Sequence, residues 1–399
     1  MKILMIHNRY LIGGGEDQST QAEVDLLRDH GHTVDYLEFD NQQIAQLGAA
    51  QTALRAIWSH PAYNAVRERL SGHDLVHVQN FFPLVSPAVY YAAREARVPV
   101  VQTLRNYRLL CPSAVFFRAG RICEDCLGHA APWPGVVHGC YRADRAATAA
   151  VAMMISVHRL LRTYQQRVDV LIALTEFARE KYIQGGLPAA KILVKPNFLH
   201  SDPGMGKGDG HFALFVGRLS AEKGIDTLLT AWQGIGARLP LKIVGTGPLL
   251  ERVLALTRQT PAVQYLGPRP IGEVYDLMGQ AKLLLFPSEW YEPFGRVAIE
   301  AFAKGTPVLA TKLGSLATLV EHGRTGLHFP PGDPQALAQQ VDWLLTHPVE
   351  HARMRHSARA EFEAKYTAPQ NYQALLAIYQ QALHPSQPNR RPSCTKTSS

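Results

Sequence analysis

At 399 residues, with 46% hydrophobic and 19% charged positions, the chain has the length of two globular domains and is too apolar for a disordered protein. A net charge of +8 and a pI near 9.2 favour anionic partners, nucleotides or a phospholipid surface. The basic residues are scattered rather than blocked, which argues against nucleic acid, and no apolar run is long enough to span a bilayer.

Ile3 to Ile6 is too short for a signal-peptide core, so the chain is expected to be cytoplasmic with reduced thiols. Lys2–Asn8 reads as a buried strand, Gly13-Gly14-Gly15 as a turn and Glu16 to His30 as a helix stopped by Gly31. Strand-like runs recur at Val34–Phe39, Asp74–Gln79, Pro99–Leu104 and Val168–Thr175, with helical stretches between them. Such alternation predicts an α/β fold with a parallel sheet. Residues 105–141 break the rhythm and read as an insertion folded on itself, carrying Cys111, Cys123, Cys126 and Cys140. These suit either a four-thiolate structural zinc site or unligated cysteines, since only one C-x-x-C pair is present. Arg142 to Arg167 reads as one helix with an apolar start and a basic end. Core packing and a surface that dips into a membrane both fit it.

Lys195-Pro196-Asn197 closes the first domain, residues 1–197. Residues 198–210 read as a flexible linker. The pattern then restarts, with strands at Phe212–Val216, Leu241–Gly245, Val263–Leu266 and Lys282–Phe286, and a helix at Ile225–Gly234. Further helices are expected at Gln335–Leu345 and His351–Lys365. The second domain is placed at 211–369. A last helix, 370–383, is expected to pack back towards the first domain, and 384–399, with Cys394, to form a disordered tail.

The stretch WYEPFGRVAIEAFAKGTPVLAT, Trp290 to Thr311, carries the densest chemistry. Pro293 suits the first turn of a helix. Glu300 lies in an apolar run and needs a partner, because a buried carboxylate without one is costly. Glu292 precedes it by eight positions, and free N–H groups near Phe294, Gly295 and Arg296 attract an anion. Ligands of parallel sheets bind beyond the carboxyl ends of the strands. Three loops occupy such positions: Gly217 to Gly224, with Arg218 and Lys223; Gly245-Thr246-Gly247-Pro248; and Pro287 to Glu292. Together they offer cations, a helix N-terminus and hydroxyl acceptors, the features a sugar nucleotide needs.

With these motifs the chain resembles the family 4 glycosyltransferases, retaining enzymes of the GT-B fold. The resemblance rests on Glu292-x7-Glu300 within EPFGRVAIEAFAKGTPV, on GRLSAEKGID at Gly217–Asp226, on the Gly-rich first loop and on Lys195-Pro196-Asn197. It covers the chain to about residue 383, and a Cys-rich insertion like this one is similar to that of a subset of the family. The resemblance implies two Rossmann-like domains facing across a cleft. It implies that Arg218 and Lys223 hold the diphosphate, that Glu300 binds the ribose and that Glu292 binds the donor sugar. Phe294, Gly295, Arg296 and Val297 would help place the donor, with Gly217, Gly245 and Gly247 beside it and Gly14 and Gly15 facing it. Arg105 stands where the family often has a histidine, and is a candidate contact to donor sugar or acceptor.

The expected reaction is hexosyl transfer from a nucleotide-diphosphate sugar to a saccharide or lipid-linked acceptor, in envelope polysaccharide or glycolipid synthesis. No catalytic metal is expected. The competing readings are a nucleotide-sugar 2-epimerase and a non-catalytic binding protein with a zinc module. Peripheral contact with the inner face of the cytoplasmic membrane is a further expectation.

Overall fold

The computed structural model describes residues 1–11 and 13–384; the expected tail beyond His384, with Cys394, lies outside the described residues. The first half runs β1 (Lys2–Arg9), β2 (Thr33–Asp40), β3 (Leu75–Asn80), β4 (Val100–Leu104), a two-stranded antiparallel pair β5 (Phe117–Arg118) and β6 (Arg121–Ile122), then β7 (Val170–Ala173) and β8 (Ile192–Val194). Its parallel sheet has the order β2-β1-β3-β4-β7-β8. The second half contributes β9 (Ala213–Val216), β10 (Leu241–Val244), β11 (Val263–Gly267), β12 (Leu283–Phe286), β13 (Val308–Thr311) and β14 (Gly326–Phe329), in the order β11-β10-β9-β12-β13-β14. The fold is thus α/β with two six-stranded parallel sheets.

Both sheets are covered on both faces, so their strands are nearly continuous apolar runs rather than alternating ones. In the first sheet Leu4, Ile6, Val76 and Val78 pack to one side. Ile3, Met5, Leu75 and Val101 pack to the other, against Leu375, Ile378 and Tyr379 of the last helix, Ala368–Leu383. In each sheet the direction of strand addition reverses once, between β1 and β3 and between β9 and β12. A crevice opens at such a reversal, beyond the strand ends.

Three expectations need correction. The segment 198–210 does not read as flexible in the fold: Gly206, Gly208 and Gly210 donate to the carbonyls of Lys304, Gly279 and Gln280 at 3.0, 2.8 and 3.0 Å. A Cβ on Gly206 would stand 2.2 Å from the Gly279 Cα, so glycine lets backbone lie on backbone here. The single helix over Arg142–Arg167 is two, Arg145–Leu160 and Thr163–Arg167, broken at Arg162 with φ 48. Residues 105–141 do not fold only on themselves, since Phe116 packs edge-on to Tyr291 of the second half with ring centroids 6.2 Å apart.

Candidate active site

The loops after β9 and β12 meet at the reversal point of the second sheet. Gly224, with φ +70, allows this: a Cβ there would lie 1.9 Å from the Pro287 carbonyl. The turn before it, Ala221–Lys223, is thereby pressed against the end of β12. Lys223 Nζ donates to Glu292 Oε1 at 2.5 Å and lies 5.2 Å from the Trp290 ring centroid. The same Oε1 accepts from Ser288 Oγ at 2.7 Å and from Trp290 Nε1 at 2.8 Å. Glu292 is buried, yet three donors, one of them cationic, compensate its charge. Arg218 is exposed on the adjoining loop.

Gly217, Gly245 and Gly247 join the loop after β9 to the loop after β10 in a way the sequence does not reveal. Gly217 N–H donates to Val244 O, and Leu219 N–H to Thr246 O, each at 3.0 Å. A Cβ on Gly245 would sit 1.9 Å from Gly217 O, and one on Gly247 2.4 Å from Leu219 O. These glycines therefore permit two loops to pair backbone to backbone.

The helix after β12 is Arg296–Ala303, with Gly295 at its N-cap at φ 110. Pro293 accordingly precedes the helix instead of occupying its first turn. The unpaired N–H groups of that turn are those of Arg296 and Val297, because Ala298 N–H already donates to Gly295 O. Phe294 is buried against Tyr366. Glu300 is buried too, and Arg296 Nε donates to its Oε1 at 2.9 Å. Burial pushes its carboxyl up, against the pull of Arg296. Tyr275 beside the pair is pushed up to about 12, by burial and then by Glu300.

Arg296 also reaches the first half, donating from Nη1 to Ser19 Oγ at 3.1 Å. Ser19 lies on the helix Gly15–Asp29, which opens directly after the exposed Gly13 and Gly14. The Arg296 Cδ would be 3.8 Å from a Cβ at Gly15. The Gly-rich turn and the Glu300 helix thus face one another. Asp17 fixes the turn by accepting from Gly14 N–H at 2.9 Å and bonding His7 at 2.8 Å. Burial opposes its ionisation, but these bonds hold its carboxyl below the ordinary range. Thr175 Oγ1 and Ser315 Oγ, 2.8 Å apart, add a second bond between the halves.

Arg105 is not the open contact its position after β4 suggests. Its side chain is 1% exposed and turned inward. It donates to Gln79 Oε1 at 2.6 and 3.0 Å and to Asn197 Oδ1 at 2.7 Å, and stands 3.6 Å from Glu23. Glu23 also accepts from Lys195 at 2.7 Å and Gln79 at 2.6 Å. Lys195 continues to Asn371 of the last helix at 3.2 Å. Lys195 and Asn197 of the Lys-Pro-Asn motif therefore belong to a buried ionic network. Burial works against the Glu23 charge, but Lys195 and then Arg105 hold its carboxyl down at about 2.

Cys111, Cys123, Cys126 and Cys140 line one cavity of about 10 Å³. All four are free thiols. Burial, then the neighbouring Cys111, pushes Cys126 up to about 12. Among the described residues no group of three or more His, Cys, Asp or Glu side chains is placed to hold a metal ion.

The chain matches two family models, the glycosyl transferase 4-like domain over residues 14–197 and glycosyl transferases group 1 over residues 203–361. Among similar proteins, the D-rhamnosyltransferase WbpZ of Pseudomonas aeruginosa is 34% identical over 164 residues, 39% of this chain and 42% of that protein. The D-inositol 3-phosphate glycosyltransferase of Corynebacterium urealyticum is 33% identical over 192 residues, 45% of this chain and 44% of that protein. The chain thus spans less than half the length of these relatives. Among solved structures, Anabaena Alr3699/HepE in complex with UDP superposes with TM-score 0.68 at 19% identity, over 96% of this chain and all of that one (100%). Sucrose-phosphate synthase from Thermosynechococcus elongatus gives the same TM-score of 0.68, identity of 19% and coverages of 96% and 100%. These likenesses establish the GT-B architecture.

Proposed function

The chain belongs to the group 1 glycosyl transferases, with a glycosyl transferase 4-like first half, and on that premise we propose that it moves a sugar from a nucleotide-diphosphate sugar to an acceptor hydroxyl with retention of configuration. The observation that carries this reading is the position of the Lys223–Glu292 pair. It lies at the strand reversal, beside an exposed Arg218 and a helix N-terminus, with the first domain's Gly-rich turn opposite.

In this reading the diphosphate lies against Arg218, Lys223 and the N–H groups of Arg296 and Val297. As the sugar–phosphate bond breaks, charge grows on the phosphate oxygens, and these fixed donors stabilise it without reorganising. Glu292, held by Ser288 and Trp290, accepts hydrogen bonds from hydroxyls of the donor sugar, and Glu300 accepts from the ribose. The acceptor hydroxyl attacks from the face the diphosphate leaves, and a departing phosphate oxygen takes its proton. The two cations supply the charge stabilisation, so chelation of divalent ions should leave turnover unchanged. A saccharide or lipid-linked acceptor of envelope polysaccharide or glycolipid synthesis fits the basic chain.

A panel of nucleotide sugars, beginning with UDP-sugars, screened by thermal shift identifies the donor. NMR of products formed with that donor and a saccharide acceptor then tests the reaction. A new glycoside of the donor's own anomeric configuration is expected. An epimerised nucleotide sugar formed without acceptor would overturn the proposal.

A further inference from the structure

Large apolar side chains exposed to solvent are unevenly spread over this molecule. Six of the ten among the described residues are Leu54, Trp133, Val137, Met153, Leu160 and Leu161. They lie on or directly beside three helices at one corner of the first domain: Ile44–Ile57, Trp133–Val137 and Arg145–Leu160. The third helix packs against each of the other two. His158 Nε2 also lies 2.9 Å from the Ile57 carbonyl, which ties the first to the third.

The segment Ile44–Ile57, IAQLGAAQTALRAI, is apolar and kinked at Gly48 with φ 73; Ala56 is buried, and Ile44, Leu47 and Ile57 are half-buried. A surface helix in water normally turns its apolar stripe to the core. This one leaves Leu54 68% exposed. At the end of Arg145–Leu160, Leu160 is 84% exposed, in a helix whose inner face is already filled by Val151, Ala152, Met154 and Ile155. Exposed apolar side chains gathered on helices that pack together, rather than scattered singly, point to an interaction site.

The charges along these helices are mostly basic. Arg55, Arg142, Arg145, Arg159 and Arg162 lie on or next to these helices, against a single acid, Asp144. Asp144 is occupied as the helix N-cap, accepting from Ala147 N–H at 2.6 Å. Among the described residues none of the five arginines forms a salt bridge. Arg159 is partly engaged, donating to the carbonyls of His129 and Leu109. Arg142, Arg145 and Arg162 are exposed.

We propose that this corner docks the chain on the surface of an anionic lipid bilayer. Leucine, methionine and tryptophan side chains enter the headgroup–acyl boundary, and the arginines meet lipid phosphates. Arginines without salt-bridge partners beside exposed apolar groups suit that surface, where each adds attraction to the anionic headgroups. A second copy of this chain would bring the same positive charge and be repelled. Nucleic acid would leave the leucines without partners. No described helix is long and apolar enough to cross a membrane, so the contact lies in the interface. The inference does not depend on the proposed transfer reaction.

Co-sedimentation of the full chain with vesicles tests it. Binding is expected to phosphatidylglycerol–phosphatidylcholine vesicles and not to phosphatidylcholine alone, weakening by about tenfold or more when salt is raised towards 1 M. The double variant L160E/L161E, checked for folding by circular dichroism, should lose binding by about tenfold or more. V349E, at a position 77% exposed in the second domain, should bind like the parent. Failure of the parent to bind anionic vesicles would overturn the proposal. So would equal loss in V349E, or a dimer that L160E/L161E abolishes in a chain that ignores lipid.

Discussion

Of the lysine–glutamate pairs among the described residues, two of almost the same length stand in opposite surroundings. Lys195 bonds Glu23 at 2.7 Å, with side chains 0% and 1% exposed. Lys223 bonds Glu292 at 2.5 Å, with side chains 22% and 6% exposed. The first is closed in by Arg105, Gln79 and Asn371 between the first sheet and the last helix. The second stands beyond the ends of β9 and β12, with the lysine reachable from the cleft. A buried pair needs every member satisfied from within, whereas a pair with one open side keeps capacity for a ligand. Solvent access and position at the strand ends, more than the residue types, separate the two pairs, and in the proposed reading they set a ligand-binding pair apart from a structural one.

Breaking each pair should therefore have opposite signatures. Lys195→Met leaves Glu23 buried with Gln79 as donor and Arg105 as its remaining cation, 3.6 Å away, and should lower stability by about 3–5 kcal/mol in urea unfolding. Lys223→Ala should keep the fold by circular dichroism and lose about a hundredfold in turnover, ~3 kcal/mol of barrier. Equal unfolding by both variants would erase the distinction.

Acid sharpens the same contrast. The Glu23 carboxyl is held down at about 2. Its folded pKa is depressed, so its contribution is present above the unfolded pKa of about 4.3. It is lost as pH falls through the folded value. Glu23→Gln should flatten that part of the stability–pH curve. A variant with unchanged pH dependence would show that the pair does not set it.

A smaller effect is expected at Gly245→Ala, where the new Cβ would meet Gly217 O at 1.9 Å. Separating these loops should cost about 1–3 kcal/mol of stability. It should also weaken nucleotide binding, because Arg218 and Lys223 stand on the displaced loop. Unchanged melting and binding would mean that the loop pairing is dispensable.

Both sheets were legible because their strands are short apolar runs between turn signals, and Glu300 because a carboxylate interrupts one apolar helix. Two strands were not legible: Ile192–Val194 has three residues, and Gly326–Phe329 opens on a glycine and carries a histidine, so neither forms an apolar run between turn signals. Ser288 and Trp290 gave no signal, since only the folded loop brings them onto Glu292. The inward turn of Arg105 depends on Gln79 and Asn197, 26 and 92 residues away in the chain. Glu23 did leave a trace, a charged residue on the helix face shared by Ser19, Thr20, Leu26 and Leu27. Its meaning needed the lysine 172 residues later.

Calorimetric titration of nucleoside diphosphates and their sugars into the parent chain and Lys223→Ala addresses the central assignment most directly. At least one nucleotide should bind the parent, and about tenfold or more weaker binding is expected in the variant, a difference of ~1.4 kcal/mol or more. A folded parent that binds none of them, or a variant that binds with undiminished affinity, would contradict the assignment of Lys223 to the diphosphate.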